Sequence, residues 1–170
     1  MDMMTLQIYL ADFQNWSSQI IGVYGYLGIF VVSFISAASI ILPIPGFAVI
    51  FAAGAFLDPF IVSIVSGIGF GAGELTGVLL GKGSRKALEK RYEEKVKNLE
   101  EKTNRYGAFF VFFLFAVTPL PDDISGIFAG VINYDWKKFL VASILGKTIL
   151  SLFMAYTGHF GINWLLNFVK

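Results

Sequence analysis

The 170-residue sequence contains no cysteine, so disulfides, thiolate metal sites and a cysteine nucleophile are all excluded. Its one histidine, His159, has no partner at metal-ligand spacing and is expected near the interfacial end of an apolar segment. Charge is scarce, at 15%, and a net charge of +1 gives no basic face for nucleic acid. No P-loop, His/Glu metalloprotease helix or nucleophile elbow occurs. One histidine and one adjacent Asp pair supply no acid, base and nucleophile set, so no enzyme activity, cofactor or metal is expected. The first residues, "MDMMTLQIYLADFQNWSSQ", hold no Lys or Arg and mix polar residues throughout, unlike a cleaved signal peptide.

What is present is apolar: 56% of the chain, in blocks at 20–57, 59–81, 106–134 and 139–169. This composition predicts an all-α integral membrane protein with one membrane domain over 1–170. A span needs about 20 apolar residues, so the second and fourth blocks each hold one span. The first and third are longer and interrupted. "ILPIPGFAVIFAAGA" and "TPLPDDISGIFAGV" share one layout, in which Pro43, Pro45, Ala53 and Gly54 answer at identical spacing to Pro119, Pro121, Ala129 and Gly130. Two breaks with one internal spacing predict a duplicated unit: a first repeat over 20–81 and a second over 106–170, each a re-entrant hairpin followed by a transmembrane helix. Residues 20–42 could instead span by themselves, since they reach roughly 34 Å as a helix.

Residues 82–105 carry nine of the thirteen Lys and Arg residues against five Glu, which predicts a cytoplasmic linker. Ser84 is a candidate N-cap for it; Leu88, Tyr92, Val96 and Leu99 form an apolar stripe, and Glu93–Lys97 and Glu101–Arg105 are i,i+4 pairs. An amphipathic helix along the inner membrane face is expected. Residues 1–19 form a second amphipathic segment, with Leu6, Tyr9, Leu10, Phe13 and Trp16 on one side, lying either in the interface or against the bundle. Trp16 and Trp164 suit interfacial anchoring. Walking outward from a cytoplasmic linker brings the two hairpins in from opposite faces, an inverted repeat of the kind found in secondary transporters.

Proline removes a backbone donor, and unpaired backbone in hydrocarbon is tolerated only inside protein or beside water. The tips at Pro43, Pro45, Pro119 and Pro121 therefore either frame a shared polar cavity or are kinks that serve packing alone. Four ionisable residues lie deep or at a break: Glu74, Asp122, Asp123 and Lys147. Each costs about 2.5–3.5 kcal/mol at the bilayer centre, so each needs a partner or a task. Glu74 and Lys147 either form a structural ion pair or divide the work, Glu74 carrying a proton or monovalent cation and Lys147 meeting an anionic headgroup. Asp122 and Asp123 either cap the following half-helix or share in that site. Gly69, Gly73, Gly77 and Gly81 recur every four residues, a stripe for close helix packing within the bundle or, as the lesser alternative, between copies in a homo-oligomer.

Together the Pro-x-Pro and Ala-Gly pattern in each half, the Gly-Glu segment at Gly73–Glu74, the charged middle and "FAVTPLPDDISGIFAGVINYDWKKFLVASILGK" resemble the DedA family, the VTT or SNARE-associated Golgi protein domain, over roughly residues 24–160. The Gly146–Lys147 pair is similar to that of its short prokaryotic YqaA-like branch. The resemblance implies two opposed re-entrant hairpins and flippase or scramblase activity on membrane lipids, with proton-motive force implicated, in the cell membrane. Better-known members carry arginines around the second tip in a Phe-x-x-Arg-x-x-Pro-x-x-Arg arrangement. Here Phe115 is followed instead by a stretch ending in Asp122 and Asp123, so the phosphate grip of arginine does not carry over. A proton or cation antiporter and a non-transporting membrane organiser are the competing functions.

Overall fold

The computed structural model describes residues 24–39, 46–105, 107–118 and 123–168; within these, side chains are described at only three positions of 86–105 and not at Asp123 or 162–168. The 1–19 segment, the four tip prolines and Asp122 lie outside the described residues. So do the side chains of the apolar stripe on the charged linker, its two expected ion pairs and Trp164. Among the described residues there are six helices and no strand: α1 (Tyr24–Ala38), α2 (Gly46–Phe56), α3 (Pro59–Arg105), α4 (Ala108–Val117), α5 (Asp123–Val131) and α6 (Trp136–Phe168).

Local chemistry sets the starts of the two long helices. Asp58 precedes Pro59, which needs no donor at the first helical position, and its Oδ1 accepts the amides of Phe60 and Ile61 at 2.9 and 3.0 Å. Asp135 does the same for α6, accepting from the amides of Lys137 and Lys138 at 2.8 and 3.4 Å. Just before it, α5 closes with Asn133 in the left-handed region at φ 52°, the Tyr134 amide donating to Ala129 O and the Asn133 amide to Gly130 O. Gly107, at φ 78°, separates α3 from α4.

Within these helices, Pro59–Arg85 and Trp136–Gly161 are long and apolar enough to cross a membrane. The other four are short: at 1.5 Å per residue, α1 reaches about 22 Å and the rest less, against roughly 30 Å of hydrocarbon. The charged linker is a correction. It is the continuation of α3, helical without interruption from Pro59 to Arg105, so Ser84 caps nothing; its hydroxyl donates to Gly81 O from mid-helix. Ala, Leu, Glu, Lys and Arg are all good helix formers, so nothing in 82–105 stops the helix once it has started.

At the centre α3 and α6 cross antiparallel, with Gly67 against Thr148 and Gly71 against Ile144. The remaining helices pack on this pair in a pattern that exchanges partners. Gly69 of α3 abuts Phe30 O and Ser33 of α1, as Gly146 of α6 abuts Phe113 O and Ala116 of α4. Gly54 of α2 meets Ala155 O of α6 and Gly158 meets Phe51 O, as Gly130 of α5 meets Val78 O of α3 and Gly81 meets Ile127 O. Each half thus packs its first short helix on its own long helix and its second on the other half's. Two apolar clusters fill the angles: Phe112 with Tyr134 and Phe139 at ring distances of 5.1 Å, and Ile29, Ile50, Val62, Phe70 and Ala155. Large apolar side chains also cover the exterior, Phe56 at 80% exposure among them, which suits a lipid solvent.

Candidate functional site

Glu74 and Lys147 stand near the middle of the two span-length segments, and the α3–α6 crossing brings them together. Lys147 Nζ lies 3.2 Å from Glu74 Oε1, with the residues 3% and 4% exposed. Two rings complete the surroundings of the ammonium: Nζ is 5.4 Å from the centroid of Phe47 on α2 and 5.8 Å from that of Phe70 on α3. The rings themselves stack at 4.7 Å with planes 24° apart. A cation beside aromatic faces is attracted by their quadrupoles, so Lys147 is held by the carboxylate and by the rings together.

Hydroxyls flank this pair. On α6, Ser143 and Ser151 sit one turn before and one turn after Lys147; on α3, Ser66, Phe70 and Glu74 repeat the same spacing. The three serines, Phe70 and Glu74 itself are all buried. Ser66 donates to Ser63 O at 3.2 Å, whereas Ser143 Oγ and Ser151 Oγ have no hydrogen-bond partner among the described residues. Thr76 ties α3 to α1 by donating to Gly73 O and Ala38 O.

The backbone of Asp123 opens α5, whose Gly126 approaches Glu74 O, so position 123 lies at the end of α5 nearest the pair. All four glycines of the stripe face helices of this chain: Gly69 and Gly73 meet α1, and Gly77 and Gly81 meet α5. His159, expected at an interface without a partner, is half-buried, with Nδ1 3.2 Å from Gly54 O, and links α6 to α2. Among the described residues no group of three His, Cys, Asp or Glu is placed to hold a metal. Outside the spans, the Lys137 amide bonded to Asp135 holds that carboxyl below its ordinary range, and burial raises the Tyr134 phenol.

Sequence reasoning singled out Glu74 and Lys147 but passed over Phe47, Phe70, Ser143 and Ser151. The i,i+4,i+8 registration of Ser143 and Ser151 around Lys147 was the available signal. Phe47 had none, because it arrives from another helix.

Comparison with known proteins gives one match: the model of the VTT domain covers residues 44–160. No curated protein and no solved structure matches the chain.

Proposed function

The chain belongs to the VTT-domain family, the DedA family domain, whose members are membrane proteins, and on that premise we propose that it moves a lipid or lipid-linked headgroup across the bilayer, as a small proton-coupled flippase or scramblase. The observation that carries this reading is the Glu74–Lys147 pair, buried at the α3–α6 crossing near mid-span. An intramembrane acid and base are costly, and transporters place such groups on the substrate or proton path.

The exchanged packing of the two halves supports an inverted repeat. The contacts of Gly69, Gly54 and Gly81 reappear at Gly146, Gly130 and Gly158, and the central helices run antiparallel. A two-fold relation between antiparallel spans has its axis in the membrane plane, the arrangement that lets one site face either side in turn. In this reading α1–α2 and α4–α5 are re-entrant hairpins, each too short per helix to cross, and the cationic end of α3 is cytoplasmic in a multi-pass protein of the cell membrane. The chain acts without enzyme chemistry, and its partners are membrane lipids and protons.

Liposomes holding the purified protein, a headgroup-labelled phospholipid and an enclosed pH dye test the proposal. Accelerated exchange of label between leaflets, faster with an imposed proton gradient, is the expected result. Cation-dependent proton flux without lipid movement would point to the antiporter. Neither flux would leave a membrane organiser, a role for which the glycine stripe offers no outward face.

A further inference from the structure

The packing of the bundle constrains where the cationic half of α3 runs. Gly71 of α3 lies against Ile144 of the antiparallel α6, so Phe139, five residues before Ile144, is level with Thr76. Ala108, the first residue of α4, is buried in the same apolar cluster as Phe139, two turns before the Ala116 that abuts Gly146. A straight α3 would carry Arg105 about 40 Å past the level of Ala108, at 1.5 Å per residue. The chain from Arg105 to Ala108 reaches back at most about 11 Å. The helix therefore bends away from its own axis after its last contacts with α5, which Gly81 and Lys82 make at Ile127 and Gly130. Ser84 marks the place: its Oγ donates to Gly81 O at 3.0 Å, a side-chain bond of the kind that bends helices.

Beyond the bend, most of the roughly 35 Å of helix from Lys82 to Arg105 runs across the end of the bundle. That end carries the marks of an interface. Trp136, Lys137, Lys138 and Lys82 are all exposed there, with Lys137 Nζ 5.7 Å from the Trp136 ring centroid. The register of the bent segment suits such a surface. Leu88, Tyr92, Val96 and Leu99 share one face; the positions of Arg91, Lys95 and Lys102 border one edge of it and those of Glu89, Glu93 and Glu100 the other. Glu94, Asn98 and Glu101, whose side chains are described, are exposed and lie on the opposite face.

We infer that residues 82–105 lie on the inner membrane surface and, with Lys137 and Lys138, form a docking surface for the anionic phospholipids of that leaflet. Charge complementarity names the occupant: the segment holds nine Lys and Arg against five Glu, and each cation near an anionic leaflet adds attraction. Long basic side chains beside an apolar stripe keep their stems on it and their charges among headgroups. Gly107 joins the far end of the segment to α4, so the same lipid contact holds the entry to α4 and α5. The inference needs the two spans and the cytoplasmic side of the segment, and does not depend on lipid transport.

The test uses the full chain, which has no native cysteine, with an environment-sensitive fluorophore on Leu99→Cys or on Glu101→Cys. Each protein is reconstituted in phosphatidylcholine vesicles that hold an equal minor fraction of spin-labelled phosphatidylglycerol or spin-labelled phosphatidylcholine. The Leu99 label should be quenched about threefold more by the anionic lipid than by the zwitterionic one, and the Glu101 label little by either. Arg91→Gln with Lys95→Gln and Lys102→Gln should remove the preference and leave the quenching by phosphatidylcholine. A straight helix would hold the Leu99 label about 25 Å beyond Lys82, so absence of quenching by either lipid would overturn the surface placement. Labels at 99 and 101 quenched alike would overturn the docked face. Equal quenching at Leu99 by the two lipids, or a triple variant that keeps the preference, would overturn the anionic assignment. The expected quenching without lipid movement in liposomes would defeat the transport reading alone; lipid movement without that quenching would defeat this inference alone.

Discussion

Removing the carboxylate and removing the ammonium are unequal changes at the buried pair. Glu74→Gln leaves an ammonium that still faces Phe47 and Phe70, whereas Lys147→Met leaves a carboxylate among helices that bring no other cation from α1, α2 or α4. An uncompensated buried charge costs roughly 3–5 kcal/mol, so Lys147→Met should lose about that much and Glu74→Gln less than half of it, with the double variant close to the parent. Unfolding in mixed micelles measures this, and equal losses for the two single variants would contradict it. Asp135 offers a pH test outside the spans. The Lys137 amide, then the Lys138 amide and the two lysine charges, hold its carboxyl low, so its folded pKa lies below its unfolded one. The capping contribution is therefore full above the unfolded pKa and lost as pH falls through the folded one. Protection factors at the Lys137 and Lys138 amides, exchange rates divided by their intrinsic pH-dependent values, should fall on acidification in the parent and stay flat in Asp135→Asn, which caps without titrating. The two central charges were legible in the sequence because ionisable groups stand out in apolar runs. The rings around Lys147 were not, because Phe is ordinary in such runs and only packing brings Phe47 and Phe70 to it.

Among the helices, glycine decides where backbones can touch. A side chain at Gly73 would collide with Phe34 O and Ala37 of α1, while one at Gly83, also in α3, would meet nothing within 4 Å. Membrane helices associate through such close van der Waals contact, so Gly73→Leu should separate α1 from α3 and abolish a cooperative melt. Gly83→Ala should stabilise by about 0.5–1 kcal/mol, since the helix interior there gains propensity without a clash. A Gly73→Leu protein melting like the parent would mean that this face of α3 does not carry α1. The two span-length segments were readable from hydropathy to within a few residues at their starts, because Pro59 and Trp136 follow capping aspartates. The boundary at residue 82 was misread for a physical reason: a change from apolar to charged residues marks where a helix leaves an apolar solvent, and the hydrogen-bond ladder of α3 continues through it.

Across the whole molecule, the repeated Pro-x-Pro spacing signalled two halves, but not that each half would lend its second short helix to the other. That exchange depends on contacts between residues far apart in sequence, such as Gly54 with Ala155 and Gly130 with Val78, which no local pattern encodes. It has a consequence for sidedness. Because α3 and α6 cross antiparallel, their first residues lie at opposite ends of the pair, and so do the turns that precede them, at residues 57–58 and 132–135. With the cationic end of α3 inside, Phe56 belongs to the outer end and Lys138 to the inner one. The absence of native cysteine allows single reporters: Phe56→Cys, Glu94→Cys and Lys138→Cys, all at exposed positions. An impermeant maleimide added to intact cells should label only Phe56→Cys, and permeabilisation should admit it to the other two. Phe56 and Lys138 labelling from the same side would remove the opposed orientation of the halves, and with it the argument that one central site is reached from both faces of the membrane.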